Sequence, residues 1–202
     1  MDSIIKNIKI VKESISEKSE LYEIIKRESF HLIRESARTI QAMHRDERVD
    51  IKTLKETFRK IKELVGNRKE FLYESVTETG MQEYVEAVLF YHYKYEKGMK
   101  MPSAEDLKVT GESYILGVMD FTGEMKRDAV ISIKKGDIQK AEQILQYIEL
   151  IYDETMEFDN YMVSPSMKRK QDVLRNIIEK LSDQISFLAM EKLIIKEMKR
   201  SD

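Results

Sequence analysis

Residues 8–44, IKIVKESISEKSELYEIIKRESFHLIRESARTIQAMH, contain neither glycine nor proline. The first glycine of the chain is Gly66 and the first proline is Pro102, so the opening 65 residues pass without a strong helix breaker. Ile8, Val11, Ile15, Tyr22, Ile25, Leu32, Ile40 and Met43 recur mostly three, four or seven apart, the spacing of one buried stripe on a long helix. The helix is expected to end near His44, and 45–49 reads as a charged connection. Asp50 can then cap a second helix that carries Leu54, Phe58, Ile61 and Leu64 and stops at Gly66.

Beyond Gly66 the punctuation is sparse and regular. A third helical stretch is expected from about Lys69 to Lys97, kinked at Gly80 and closed by Gly98. Ser103 and Asp106 have capping-box spacing for a short helix before Gly111. Glu112 to Lys135 follows, closed by Gly136, and Asp137 can cap a helix reaching Phe158. Ser164 and Pro165 form an N-cap and N1 pair for the last helix. The reading is all-α, with six or seven helices, no strand pattern and no internal repeat. Helices this long exceed what a compact monomer needs, so other subunits are expected to cover part of their apolar surface.

Composition agrees. The chain has 202 residues, 7 glycines and 2 prolines, with 36% of residues charged and 42% hydrophobic. That length suits one domain, 1–202, and the apolar share excludes intrinsic disorder. There is no cysteine, which removes disulfides, thiolate metal sites and cysteine nucleophiles. Lys and Arg number 35 against 37 Asp and Glu, a net charge of −2, so nucleic-acid binding would need a local basic surface rather than a basic total. The opening MDSIIKNIKIVKES lacks a signal peptide's apolar core, and no apolar run approaches the roughly 18 residues of a membrane span. A soluble, cytoplasmic protein with no membrane partner is expected.

Two segments depart from ordinary amphipathic patterning, and both do so with carboxylates. In 80–91, GMQEYVEAVLFY, Glu86 is the only charge between Tyr84 and Tyr91; in 114–124, YILGVMDFTGE, Asp120 is the only charge between Tyr114 and Gly123. An ionised acid on a largely apolar helix is costly unless a cation, metal or proton meets it. On helices, Glu83 and Glu86 stand at i and i+3, Asp120 and Glu124 at i and i+4, so each pair shares a face. If the two helices pack face to face, four carboxylates converge, and one or two divalent cations would neutralise them. All-oxygen ligation points to Mg²⁺ or Mn²⁺. Gly117 and Gly123 beside the acids either leave room for a substrate backbone or let helices approach. Metal-assisted phosphodiester hydrolysis is the chemistry that wants this arrangement. The alternative is that these acids pair with Lys or Arg across a helix interface, with Arg127 on the face of Asp120 and Glu124 as the ready partner.

Other features carry less. Glu28 and His31 form one ExxH, the ligand spacing of di-iron bundles, which need two copies. His44 and His92 read as structural. Arg34, Arg38 and Arg45 make a basic stripe that could touch phosphates or face solvent paired with neighbouring acids. Lys168, Arg169 and Lys170 read as a solvated run. No P-loop, dinucleotide-binding glycine pattern, HExxH or GxSxG is present.

The chain resembles the translin family, and within it the translin-associated factor X (TRAX) branch. Residues 35–45, ESARTIQAMHR, look like the family's ESxRTI and HR element; 79–87, TGMQEYVEA, is similar to a TRAX TGLQEYVEA; 114–124 with Gly136, Asp137 and Ile138 looks like YLLGVADLTGE and GDI. The likeness extends over nearly the whole chain. It implies about seven helices per subunit and a hollow, barrel-like octamer in which TRAX-type subunits are catalytic and translin-type subunits bind nucleic acid. The family's catalytic carboxylates correspond to Glu83, Glu86, Asp120 and Glu124. Translin's basic element is absent, since 70–78 reads EFLYESVTE, and the extra loop of larger TRAX proteins before the Asp120 helix is missing.

The resulting expectation is a Mg²⁺ (or Mn²⁺)-dependent endoribonuclease assembled as a homo-octamer. Glu83, Glu86, Asp120 and Glu124 would be its metal-binding and catalytic residues, and Arg38 and Arg45 its contacts to RNA phosphates. The alternative is a non-catalytic assembly binding RNA or single-stranded DNA; a di-metal redox bundle comes third.

Overall fold

The breaker-free opening forms one helix, α1, Asp2–His44, of 43 residues. The structure is a computed structural model and describes residues 2–96, 98–160 and 165–201. After α1 come α2 (Lys52–Val65), a 3₁₀ turn (Lys69–Tyr73), α3 (Ser75–Tyr95), α4 (Ala104–Leu107), α5 (Gly111–Lys134), α6 (Ile138–Met156), a second 3₁₀ turn (Glu157–Asn160) and α7 (Pro165–Ser201). There is no strand among the described residues. No helix among them is long and apolar enough to cross a membrane. The chain packs as two compact units, Met1–Tyr114 and Ile115–Asp202, whose border falls inside α5.

In the first unit α1 packs chiefly on α3 and then on α2. Its buried positions, Ile25, Ser29, Leu32, Ser36, Ile40 and Met43, step by three or four and make the expected stripe. Toward its N-terminal half, the Lys18 ammonium meets Glu70 at 3.2 Å and the Tyr22 ring stacks on Phe71. Ile8, Val11 and Ile15, read from the sequence as part of the buried stripe, are instead 57%, 55% and 62% exposed. The stripe is real along the whole helix, but α1 outruns the elements that could cover it. Ile4, Ile8, Val11 and Ile15 therefore lie bare in a row on its first four turns.

The stretch after Gly66 is not one helix. Glu74 is extended (φ −71°, ψ 132°), separating the 3₁₀ turn from α3. Gly80, the expected kink point, lies inside one unbroken helix, α3. Its role is close approach: a Cβ there would meet the Ser29 carbonyl oxygen at 3.4 Å and Leu32 Cδ2 at 3.5 Å. Near this crossing Ser29 Oγ donates to Thr77 Oγ1 (3.3 Å), giving two buried hydroxyls a partner. The Lys97 end predicted for this helix lies outside the described residues, and α3 ends at Tyr95.

Several caps form as the sequence indicates. Asp50 takes the Lys52 N–H (2.9 Å), acting from one residue before the Ile51 N-cap. Ser103 and Asp106 close a reciprocal capping box, and Asp137 accepts the Lys140 N–H at 3.1 Å. Gly66 and Gly136 end their helices at positive φ. Pro165 is the first residue of α7, while the Ser164 cap lies outside the described residues. In the second unit Leu116 and Met119 of α5 form a buried cluster with Met167 and Leu174 of α7, and Ile151, Tyr152 and Phe158 pack against it. Gln171 donates from Nε2 to the Thr155 carbonyl at 2.8 Å, fixing the rotation of α7 against the end of α6.

Candidate acidic site

Both acid-bearing segments are helical, so the spacings hold as faces. Glu83 and Glu86 project from α3, half-buried between the buried Met81, Tyr84, Val85 and Ala87. Burial pushes the Tyr84 phenol up to about 12. Asp120 and Glu124 project from α5, half-buried beside the buried Met119, Phe121, Thr122 and Met125. A Cβ on Gly123 would meet no atom within 4 Å, so this glycine marks open space and not a helix crossing.

The first acid pair belongs to the first unit and the second pair to the second unit. Among the described residues no group of three or more His, Asp or Glu side chains stands ready to hold a metal ion. Each pair is nonetheless right in kind for Mg²⁺, a hard cation usually held by one or two carboxylates with waters and substrate phosphates completing its shell.

Asp120 has a cationic partner, and it is not Arg127. Lys170 on α7 places its Nζ against both carboxylate oxygens of Asp120. The Lys170 side chain is 22% exposed and that of Asp120 29%, so water screens the pair only in part. Arg127 is exposed. The sequence reading assigned Lys170 to a solvated run, which is correct for Lys168 and Arg169. The signal that separates Lys170 from them is its register: it lies one turn from Met167 and one turn from Leu174, both buried on the core face of α7.

The remaining candidates are placed as follows. Arg38 is exposed on α1. Arg45 is also exposed, its Nε and Nη2 gripping both oxygens of Glu47, the second at 3.2 Å. That hydrogen bonding, with the charge attraction behind it, raises the Arg45 pKa, and it lowers that of Glu47. Glu28 of the ExxH pairs with Lys60 of α2 at 2.9 Å, and His31 faces Glu35 at 3.7 Å. Glu35 in turn accepts from Thr57 Oγ1 at 2.7 Å, so this motif joins α1 to α2. His44 packs its ring on Phe90, and His92 meets Glu96 at 2.6 Å.

A family model, Translin, matches residues 8–185. The chain belongs to the translin family. Among relatives of this translin-family chain, an uncharacterised protein of Methanocaldococcus jannaschii is 32% identical over 185 residues, covering 89% of this chain and 82% of that one. Translin-associated protein X of Pongo abelii is 29% identical over 188 residues, 72% of this chain and 64% of its own length. The mouse protein of that name is 32% identical over 121 residues, 45% and 41% of the two chains. The matched part is thus under two thirds of these TRAX relatives. The crystal structure of apo-NeC3PO superposes with a TM-score of 0.68 at 28% identity, covering 90% of this chain and 96% of that one. AfC3PO, also solved as a duplex RNA complex, has the same fold at 22% identity, with a TM-score of 0.69 over 93% of this chain and 99% of that one.

Proposed function

We propose that this translin-family chain is the subunit of a homo-oligomeric, Mg²⁺- or Mn²⁺-dependent endoribonuclease of TRAX type, assembled as an octamer. The observation that carries the reading is the pair of acid doublets, Glu83 with Glu86 and Asp120 with Glu124, each half-buried on one face of a helix and set in a largely apolar stretch of it. They fall in the stretches 79–87 and 114–124, which resemble TRAX motifs. A divalent cation held by either doublet would supply, when bound, Lewis-acid stabilisation of phosphodiester charge and a more acidic water. The chain's own part is to hold that ion with carboxylate oxygens, to align the attacking water with one of them, and to limit competing solvent with the apolar flanks. The space at Gly123 admits a backbone beside Asp120 and Glu124. Arg38 and Arg45, on the exposed surface near the end of α1, are assigned to phosphate contact; Arg45 must exchange Glu47 for the phosphate. The bare apolar row of α1 supports self-assembly.

The second reading, a non-catalytic assembly that binds RNA or single-stranded DNA, is favoured by one observation: the ammonium of Lys170 already neutralises Asp120. One experiment separates the two. End-labelled RNA, duplex first because that is the polymer solved with AfC3PO, is incubated with the purified protein in Mg²⁺ or EDTA, alongside a light-scattering mass. Cleavage that EDTA stops, and that Glu86→Gln or Asp120→Asn abolishes at unchanged particle mass, supports the nuclease. Binding without product in Mg²⁺, or full cleavage by a variant carrying both Glu86→Gln and Asp120→Asn, leaves the non-catalytic reading or a different active site.

A further inference from the structure

We propose that Lys170 is a positioning residue of the acidic site: its ammonium holds Asp120 where a divalent cation would sit, so metal binding there exchanges one cation for another. The inference rests on the reading of Asp120 as a metal ligand. Both Asp120 oxygens face Lys170 Nζ, so an incoming ion cannot take either oxygen without weakening that pair. The arrangement is set by the fold. Met167 and Leu174 lock one face of α7 into the cluster with Leu116 and Met119, and the Gln171 to Thr155 hydrogen bond fixes the helix rotation, which turns Lys170 toward α5. Lys168 and Arg169 are turned outward by the same rotation. The four-carbon stem of Lys170 lets its charge swing away while the helix stays in place, so the exchange requires no refolding. Partial burial makes the competition effective, because water does not replace either partner fully.

The test uses the full-length protein and Mn²⁺ alone, with free Mn²⁺ read by electron paramagnetic resonance. Lys170→Met keeps the stem and removes the charge; it is expected to bind Mn²⁺ about tenfold more tightly than the natural protein. Lys168→Met is expected to leave affinity unchanged, and Asp120→Asn to abolish the tightening. In the natural protein, acetylation of Lys170 by an amine-reactive ester, followed by mass spectrometry, is expected to rise severalfold when Mn²⁺ is saturating. Equal or weaker Mn²⁺ binding by Lys170→Met overturns the proposal. Should that variant not fold, unchanged Lys170 labelling in the natural protein overturns it instead. Tightening by Lys170→Met in a protein that cleaves no RNA leaves the exchange standing and removes the nuclease reading. Mn²⁺ binding indifferent to Asp120 in both backgrounds overturns both.

Discussion

Gly80 and Ser29 meet where α3 crosses α1, so closely that a side-chain carbon on Gly80 would stand 3.4 Å from the Ser29 carbonyl oxygen. That distance leaves room for one methyl group and no more. Gly80→Ala is expected to be neutral or to stabilise by up to about 1 kcal/mol, since alanine is the better helix residue. Gly80→Leu is expected to cost about 1–3 kcal/mol by forcing α1 and α3 apart. Urea unfolding of the two variants checks both; a destabilising alanine would contradict the contact geometry.

Ile8 and Ile15 make no use of their apolar surface inside the subunit. Each isoleucine covered by a partner contributes roughly 1.5–3 kcal/mol, so the row is expected to serve as an assembly surface. The double variant Ile8→Asp, Ile15→Asp is expected to drop the light-scattering mass to that of a monomer or dimer while far-UV circular dichroism stays nearly unchanged. Loss of helix content together with mass would instead place these residues in the subunit's own fold.

Glu78 titrates upward because burial, and then the charge of Glu112, disfavour its ionised form. The folded protein therefore holds this proton more tightly than the unfolded chain does. The associated stability is present below the ordinary carboxylate pKa and lost as pH rises through the higher folded value. Glu78→Gln is expected to be more stable than the natural protein at pH 7, by less than about 1 kcal/mol given solvent screening, and indistinguishable from it near pH 4. Melting temperatures at the two pH values give the comparison.

Asp120→Asn serves as more than a test of cleavage. It strands the half-buried ammonium of Lys170 without its counter-charge. A loss of about 1–2 kcal/mol is expected, between the values for exposed and buried pairs, and the additional change Lys170→Met should restore part of it. Thermal melts of the three variants form the cycle, and strict additivity would mean that the pair contributes nothing to the fold.

Helix type, helix order and most caps were legible because they depend on local residues: no breaker before Gly66, Ser103 opposite Asp106, Asp137 before Lys140. What escaped depends on neighbours distant in sequence. The break at Glu74 carries no glycine or proline to announce it. Gly80 looks the same in sequence whether or not another helix passes close to it, and only the fold brings Ser29 there. The periodicity of α1 foretold a buried stripe but not how far the covering helices extend, which is why Ile8 and Ile15 were misplaced. The acid doublets were visible as charges in apolar runs, and a basic partner was foreseen as the alternative, yet on the same helix at Arg127. Lys170 lies 50 residues from Asp120, and only its register with Met167 and Leu174 set it apart from its basic neighbours.

The unfinished first turns of α1 tie the protein's fate to its abundance. If self-assembly covers this row, as proposed, a newly made subunit in dilute solution shows chaperones and proteases an oily surface that one made among many copies hides. Melting temperature should therefore climb with protein concentration, and a cell making too few copies would lose them to degradation before any could act.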